Sequence, residues 1–430
     1  KECWKCAFQH TPTFSIEPKK WSSLHFFAFF IWLWGLTFSR LQVVGWENAK
    51  EQIERGDAYG KNTDSGYDVF FIAGAADEAL LKGRLGLAAE FDKGFNSTGS
   101  LTMAMAGIMC IAPVAGKILT PLAAPVFLKI GADPAMLSGI LFSVDMGGYP
   151  LAVAMTDNSQ VQILSGVLLS AMMGSTVIFT IPVALSMCRD EDRRPVSKGV
   201  VLGIIAIPFG LITGALTAGL PGRMILTNSV PVIAIAAALA VILTVFPEPT
   251  LAGFKTFGDI LKCICILSLT LASLEEALGI TLLPGMDPLG EQLKIIGLIG
   301  VTLAGAYPFI RVLSRCMSPV LRRVGKILDI SDASVAGIIA SLANPLPMFD
   351  LISEMDDRGK VVAMAFAVPA LAVFGDHMGY VSAVCPDAVI PLAAGKLTAG
   401  IVGLILAEIF ESAPLFPSKR KEIVKNRSRM

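Results

Sequence analysis

Charged side chains are scarce in this chain. Asp, Glu, Lys and Arg make up 16% of its 430 residues, against about 25% in a soluble domain. The 35 basic and 35 acidic residues cancel, so the basic excess that marks a nucleic-acid partner is missing. Histidine occurs only three times. There is no phosphate-cradling Walker loop, no Gly-rich dinucleotide loop and no run of metal ligands. ATP-driven pumping is thereby unsupported, and no cofactor or metal is expected. Strand-period alternation is absent too, and with it a transmembrane barrel. What the chain holds instead is apolar: 54% hydrophobic residues, 40 Gly and 17 Met, at a mean hydropathy of +0.66. Neither disorder nor a disulfide scaffold has this composition. The fold class that follows is an all-α polytopic membrane protein, with the lipid bilayer as its first partner.

Residues 158–188, 201–222 and 224–247 contain no charged side chain, and each exceeds the roughly 20 apolar residues that one helical crossing needs. Further spans are expected over 99–116, 134–155, 255–283, 295–310, 333–352, 361–384 and 388–410. The total is about 10–11 transmembrane helices. Residues 1–66 differ in character: a polar start, an aromatic-rich apolar run at 24–38, and a hydrophilic stretch at 45–66. That run is short for a crossing and suits an interfacial or signal-like segment. Six of the eight Cys lie in or beside apolar spans, where thiols behave as small hydrophobes. Cys3 and Cys6 with His10 supply half a zinc site and no second pair. Residues 417–430 form a basic tail.

Sliding the chain along itself aligns 99–150 with 297–348 without a gap, and ten of the 52 pairs are identical. Two structurally related halves are therefore expected, at 67–224 and 253–416, joined by a connecting helix over 225–252. Both copies interrupt a helix at the same place. The first reads Asp145-Met-Gly-Gly-Tyr-Pro150 and the second Asn344-Pro-Leu-Pro-Met348. Gly and Pro free backbone amides and carbonyls, and paired interruptions in related halves point to a transporter's midplane site. After a three-residue insertion Gly174 answers Gly375, which sets Ser175-Thr176 opposite Asp376-His377. The loops 189–198 and 311–326 are both basic, and parallel and inverted repeats both remain open.

Polar groups inside the spans are the candidate site. Asp145 sits at the first interruption and Asp376-His377 in the charge-free surroundings of 361–386. A carboxylate at mid-membrane costs about 3 kcal/mol and so faces a cavity or a partner. Asp145 reads as a counter-charge for a cationic substrate or as a proton carrier, or as a cap for freed amides. Asp376 and His377 are adjacent and do not share a helix face; His377 suits a proton link. Tyr149 lines the same wall as Asp145. Tyr307-Pro308 is expected to break its helix, and Tyr307 offers a ring face to an ammonium. Asn344 can donate and accept at the second break. Glu275, Glu276 and Lys396 are expected to snorkel at span ends, and residues 356–360 to form a solvated loop.

Several long motifs carry a resemblance. They are Asp145-Met-Gly-Gly-Tyr-Pro-Leu-Ala152, Phe179-Thr-Ile-Pro-Val-Ala-Leu185 and Pro284-Gly-Met-Asp-Pro288, then Gly305-Ala-Tyr-Pro308, Met355-Asp-Asp-Arg-Gly-Lys360 and Gly375-Asp-His-Met-Gly379. From about residue 68 to the last span, the chain resembles the ethanolamine permease (EutH) family. The resemblance implies a helical bacterial inner-membrane permease without catalytic activity, which admits ethanolamine for breakdown in the cytoplasm. The family begins with a full apolar helix, whereas residues 67–81 are short here, and it tends to carry a second Asn where Pro345 stands.

Ethanolamine, or a similar small amine, presents an ammonium and one hydroxyl. Asp145 and Asp376 are the competing ammonium partners, with Tyr149 as wall, and Asn344 or a free carbonyl suits the hydroxyl. Two other classes fit part of the pattern. One is a proton- or ion-coupled symporter of another small polar metabolite. The other is an intramembrane aspartyl protease using Asp145 and Asp376, although Val373 stands where that family's Gly-x-Gly-Asp signature begins. Oligomeric state is not legible in the sequence.

Overall fold

The computed structural model describes residues 68–412. The leader with its apolar run and Cys3/Cys6 pair, and the basic tail, lie outside the described residues. Within them there is helix and no strand. Backbone amides in hydrocarbon have no water to turn to, and a helix satisfies them within its own segment.

Fourteen helices are used below. They are α1 (Asp68–Ala79), α2 (Ala88–Ile130), α3 (Met136–Leu141), α4 (Tyr149–Met155), α5 (Ser159–Met187), α6 (Arg193–Thr217) and α7 (Gly222–Val245). Then come α8 (Pro247–Leu278), α9 (Leu289–Leu328), α10 (Asp332–Ser341), α11 (Pro345–Leu351), α12 (Asp357–Ala370), α13 (Asp376–Val384) and α14 (Val389–Ser412). Seven are long and apolar enough to cross a membrane unaided: α2, α5, α6, α7, α8, the first 25 residues of α9, and α14. The other expected spans come as broken pairs: α3 with α4, α10 with α11, and α12 with α13. Helix α1 has 12 residues, about 18 Å, which falls short of a bilayer core. Large apolar side chains such as Ile118, Leu122, Leu226, Val241 and Leu267 point outward, where lipid rather than water is their natural solvent.

The breaks have local causes. Before α4, Phe142 and Ser143 are extended and Gly147 takes φ +98°, a conformation open to glycine because it lacks Cβ. Pro150 then falls in the first turn of α4, where its missing N–H costs nothing. Before α11, extended Asn344 caps the helix by accepting from the Leu346 amide at 2.9 Å, and Pro345 opens the first turn. The third break is a correction. The span expected over 361–384 divides at residues 371–375, around Ala372 with φ +51°. Its freed amides are not orphaned: Ala372 N–H donates to Ser341 O at 2.7 Å and Phe374 N–H to Leu342 O at 2.9 Å. The second and third breaks thus cross and complete each other's backbone bonding.

Glycine makes both crossings possible. A Cβ on Gly174 of α5 would lie 1.9 Å from Phe142 O, and one on Gly375 would lie 1.9 Å from Ala343 O. Helix α5 is not broken there, but its turns over Gln162–Gly174 are widened to the π type, a feature common at functional sites.

Two further expectations are corrected. Tyr307-Pro308 does not break its helix, for α9 runs unbroken through it. The Pro308 ring is packed against α1 at Gly74, so neighbouring packing holds a helix that has lost one hydrogen bond. Nor is 356–360 a solvated loop. Asp356 accepts from Ser331 N–H, the Ser334 hydroxyl and Gly359 N–H. Arg358 grips both Glu408 carboxylate oxygens at 2.8 Å and reaches Leu328 O. Lys360 is buried against Asp192 at 2.6 Å. The segment is a clasp joining α9, α12, α14 and the start of α6, because free amides at a helix start attract acceptors.

Two stability predictions follow from these contacts. Gly375→Ala forces a methyl into Ala343 O, an overpacking strain of about 1–3 kcal/mol or more, and lowers the thermal midpoint and the monodisperse yield in detergent. Gly99→Ala, with no neighbour within 4 Å, leaves both unchanged. Burial raises the Asp356 carboxyl, but the Ser331 and Gly359 amides and the Ser331 and Ser334 hydroxyls outweigh it and hold the group below the ordinary carboxylate range. The stabilisation is therefore present above the unfolded value of about 3.9 and is lost as pH falls through the folded one. Asp356→Asn destabilises the protein by about 1–2 kcal/mol at pH 7, and the gap to wild type closes as the melts are carried into acid.

Candidate functional site

The crossings bring a set of polar side chains together in the middle of the bundle. Asp145 follows the first break, Asp376 and His377 open α13 just past the third, and Asn344 caps α11 at the second. Tyr307 comes from α9, Tyr149 from α4, Ser175 from α5 and Lys396 from α14. Helices that stop in mid-bundle expose their first turns to one another, and that is why residues so distant in sequence meet.

One group centres on His377. Its Nδ1 lies 2.9 Å from Lys396 Nζ, and Lys396 also donates to Ala171 O. With Nδ1 accepting from an ammonium, the ring proton sits on Nε2. That nitrogen faces Ser175 Oγ at 3.3 Å and Asp145 Oδ1 at 3.8 Å. Ser175 in turn meets Ser143 at 2.7 Å and donates to Ser170 O, while Ser143 donates to Asp145. Lys396 is fully buried and the His377 side chain is 4% exposed, but Asp145 keeps 17% of its side chain open. Carboxylate, imidazole and ammonium thus stand in a row. A buried charge with no partner costs several kcal/mol, and this row gives each charge a counterpart.

The second group centres on Asp376. The Tyr307 hydroxyl donates to Asp376 Oδ1 at 2.9 Å, and the same hydroxyl interacts with the Ser97 and Asn344 side chains. The exposed Lys93 of α2 holds its Nζ 5.1 Å from the Tyr307 ring centre. The two groups adjoin, since α13, which carries Asp376 and His377, packs on the segment Val144–Gly148 that carries Asp145. Tyr149 and the buried Tyr380 stand by Asp145, and Tyr149 also meets Cys385.

All six side chains expected to form the site are thus found in these two groups or beside them. As expected, Asp376 and His377 turn to different partners. Asn344 is partly committed to its helix cap. The expectation for Lys396 is overturned: it does not snorkel but lies at the centre of the bundle. A signal was available, because Lys396 is alone among apolar residues from 389 to 407, and a single charge mid-span faces a partner inside the bundle. Ser175, legible in the sequence as the counterpart of Asp376-His377, joins the first group, whereas Ser143, Ser97 and Tyr380 carried no signal of a site. Short hydroxyls in apolar helices commonly bond their own backbone and give no warning of a network. Among the described residues, no group of His, Cys, Asp and Glu could hold a metal ion.

The comparisons with known proteins agree on one family. Residues 68–410 match the family model described as "Ethanolamine utilisation protein, EutH". A protein of Listeria monocytogenes named "Probable ethanolamine permease EutH" is 38% identical over 354 residues, covering 82% of this chain and 95% of the relative. A protein of the same name from Escherichia coli is 38% identical over 346 residues, covering 75% and 85%. The "Uncharacterized protein YxeR" of Bacillus subtilis is 35% identical over 338 residues, covering 79% and 91%. No solved structure matches.

Burial of Lys396 has a direct readout. Amine-reactive labelling of the folded protein in detergent, read by mass spectrometry, modifies Lys294, whose side chain is 72% exposed, and spares Lys396 until the chain is denatured. Equal labelling of the two lysines in the folded state contradicts this placement.

Proposed function

The chain belongs to the EutH family of ethanolamine utilisation proteins, and from that premise we propose that it carries ethanolamine as its ammonium form, seated on Asp376 beneath Tyr307. It is a multi-pass permease of the bacterial inner membrane, not an enzyme. The symporter of another metabolite and the aspartyl protease are not favoured by this membership.

One observation carries the choice of seat. Asp145 already has His377 and, beyond it, Lys396 as internal partners. Among the described residues, the donor that reaches Asp376 is the neutral Tyr307 hydroxyl. A carboxylate beside an aromatic face is a receptor for a small ammonium, with cation–π attraction worth about 2 kcal/mol once water is excluded. Lys93 rests over the same ring from an exposed face. It marks where a cation is welcome, and its long stem can withdraw to water as the substrate arrives. The substrate hydroxyl is taken by Asn344 or by a carbonyl freed at the breaks. Tyr149 and Asp145 form the opposite wall. His377 takes part through Lys396 and Asp145 rather than by touching the ammonium.

The duplicated halves, 67–224 and 253–416 with the connecting helix over 225–252, belong to this proposal. Their support is the matching contact of a break carbonyl on a glycine, Phe142 O on Gly174 and Ala343 O on Gly375. The same sequence interval separates the two carbonyls and the two glycines.

In proteoliposomes, Asp376→Asn lowers protein-dependent uptake of labelled ethanolamine by at least about tenfold, as expected for the loss of a buried charge partner. Tyr307→Phe raises KM a few-fold and leaves the maximal rate within about a factor of two. Normal uptake by Asp376→Asn removes the seat assignment.

A further inference from the structure

We infer that Asp145, His377 and Lys396 form a self-neutralising triad that leaves room at the neighbouring Asp376 for one positive charge, so that a proton and the substrate ammonium exclude each other and the protein exchanges one for the other. This rests on Asp376 being the ammonium seat. It adds a proton-binding role to that residue and a positioning role to Lys396.

The geometry of the row carries the charge count. Lys396 Nζ lies 2.9 Å from His377 Nδ1, and Nε2 on the other side of the ring lies 3.8 Å from Asp145 Oδ1. A proton can pass from Nζ to Nδ1 while the Nε2 proton moves onto Ser175 Oγ at 3.3 Å, the Ser175 proton onto Ser143 Oγ at 2.7 Å, and the Ser143 proton onto Asp145. The ammonium and the carboxylate are then both neutral, and the sum is zero as before. One base and one acid cancel in either arrangement, with a neutral imidazole between them.

Around Asp376, α9 contributes Tyr307 and α2 contributes Lys93, while Asp387 lies beyond Cys385. Helix α5 has no ionisable side chain anywhere in Ser159–Met187, α6 has none after Lys198, and α12 has none after Lys360. The other groups facing Asp145 are the Tyr149 and Tyr380 phenols and the Cys385 thiol beyond them, which are neutral side chains at pH 7. Lys93 approaches Tyr307 and Asp376 from an exposed face, where its ammonium is in reach of water.

Asp376 is therefore, among the described residues, the acid whose one neighbouring cation, Lys93, stands on an exposed face rather than inside the bundle. In a medium of low dielectric an uncompensated carboxylate is expensive, and so is a surplus cation. The loaded site is neutral with one proton or with one ammonium, but not with both or neither. When the ammonium enters, the O–H bond of the Asp376 carboxyl breaks and the proton leaves to water on the side of entry. The N–H bonds of the substrate stay intact. On the far side the ammonium departs, and the carboxylate takes a proton from that water to form the O–H bond again. One ammonium moves one way, one proton the other, and no net charge crosses.

The test is uptake of labelled ethanolamine into proteoliposomes of the full chain, with protein-free liposomes subtracted. For the wild type, a pH gradient with the acid side inside is expected to raise accumulation about tenfold per pH unit, and a potassium diffusion potential is expected to leave it unchanged. External acid should raise KM without lowering the maximal rate. Removing the fixed cation with Lys396→Met leaves two acids to share protons, and the rise of KM is then expected to begin at a pH about one unit higher or more. The inference is overturned if a negative-inside potential of about 100 mV drives accumulation towards fiftyfold while the pH gradient has no effect. It is also overturned if a folded Lys396→Met protein keeps the wild-type dependence of KM on pH. Loss of folding in that variant leaves the wild-type arms decisive. Absence of any protein-dependent uptake removes the transport reading itself, and is thereby distinct from a voltage-driven uptake that removes only the exchange.

Discussion

An apolar bundle cannot leave a backbone amide or carbonyl without a partner, and three of its helices stop in mid-bundle. The rest of the structure answers that constraint. Helices that meet end to end must let their chain segments cross at hydrogen-bond distance, and Gly174 and Gly375 are the positions where a side chain would forbid it. The second and third breaks bond to each other through Ser341, Leu342, Ala372 and Phe374. The first relies on α5, whose widened turns bring Ser170 and Ser175 to the crossing. Helix starts placed this way point free amides and short polar side chains at a common centre, and the candidate site is what gathers there.

The second constraint is charge. Two carboxylates and one lysine lie within the same buried region, and each must be offset. The imidazole of His377 lets Lys396 and Asp145 offset one another across a ring without direct contact. Once they do, Asp376 is the remaining acid, and a hydroxyl from Tyr307 is its closest partner. Selectivity for a small cation then needs no dedicated cage. It comes from one unspent negative charge, an aromatic face and a confined volume. The clasp at 356–360 shows the contrasting use of charge at the edge of the bundle, where Arg358 meets Glu408, Lys360 meets Asp192, Asp356 takes amides and hydroxyls, and the result is attachment.

Much of this was legible in the sequence. Long charge-free runs gave the crossings, and Gly-Gly-Tyr-Pro and Asn-Pro-Leu-Pro marked two of the three breaks. Asp145, Asp376 and His377 stood out because charge is rare in such runs. The third break escaped because residues 371–375 contain no proline: Ala372 takes positive φ where its own amide bonds Ser341 O and that of Phe374 bonds Leu342 O, and tertiary bonds leave no local mark. Pro308 failed in the opposite direction, since a proline predicts a lost bond but not whether packing will keep the helix continuous. Lys396 reads as a snorkelling residue because a long side chain can reach water from several turns away, and its partners His377 and Ala171 are remote in sequence or on another helix. The loop 356–360 looked solvated because its partners, Ser331, Glu408 and Asp192, are remote in sequence.

The account turns on Asp376 as an acid that waits for a cation at the meeting of broken helices. A density map of the protein in lipid, determined with and without ethanolamine, tests this most directly. The account predicts a water-connected hollow at Asp376, with added density about 3 Å from its carboxylate and against the Tyr307 ring when the amine is present. Density seated elsewhere, or an Asp376 walled off by neighbouring side chains in both maps, would contradict it.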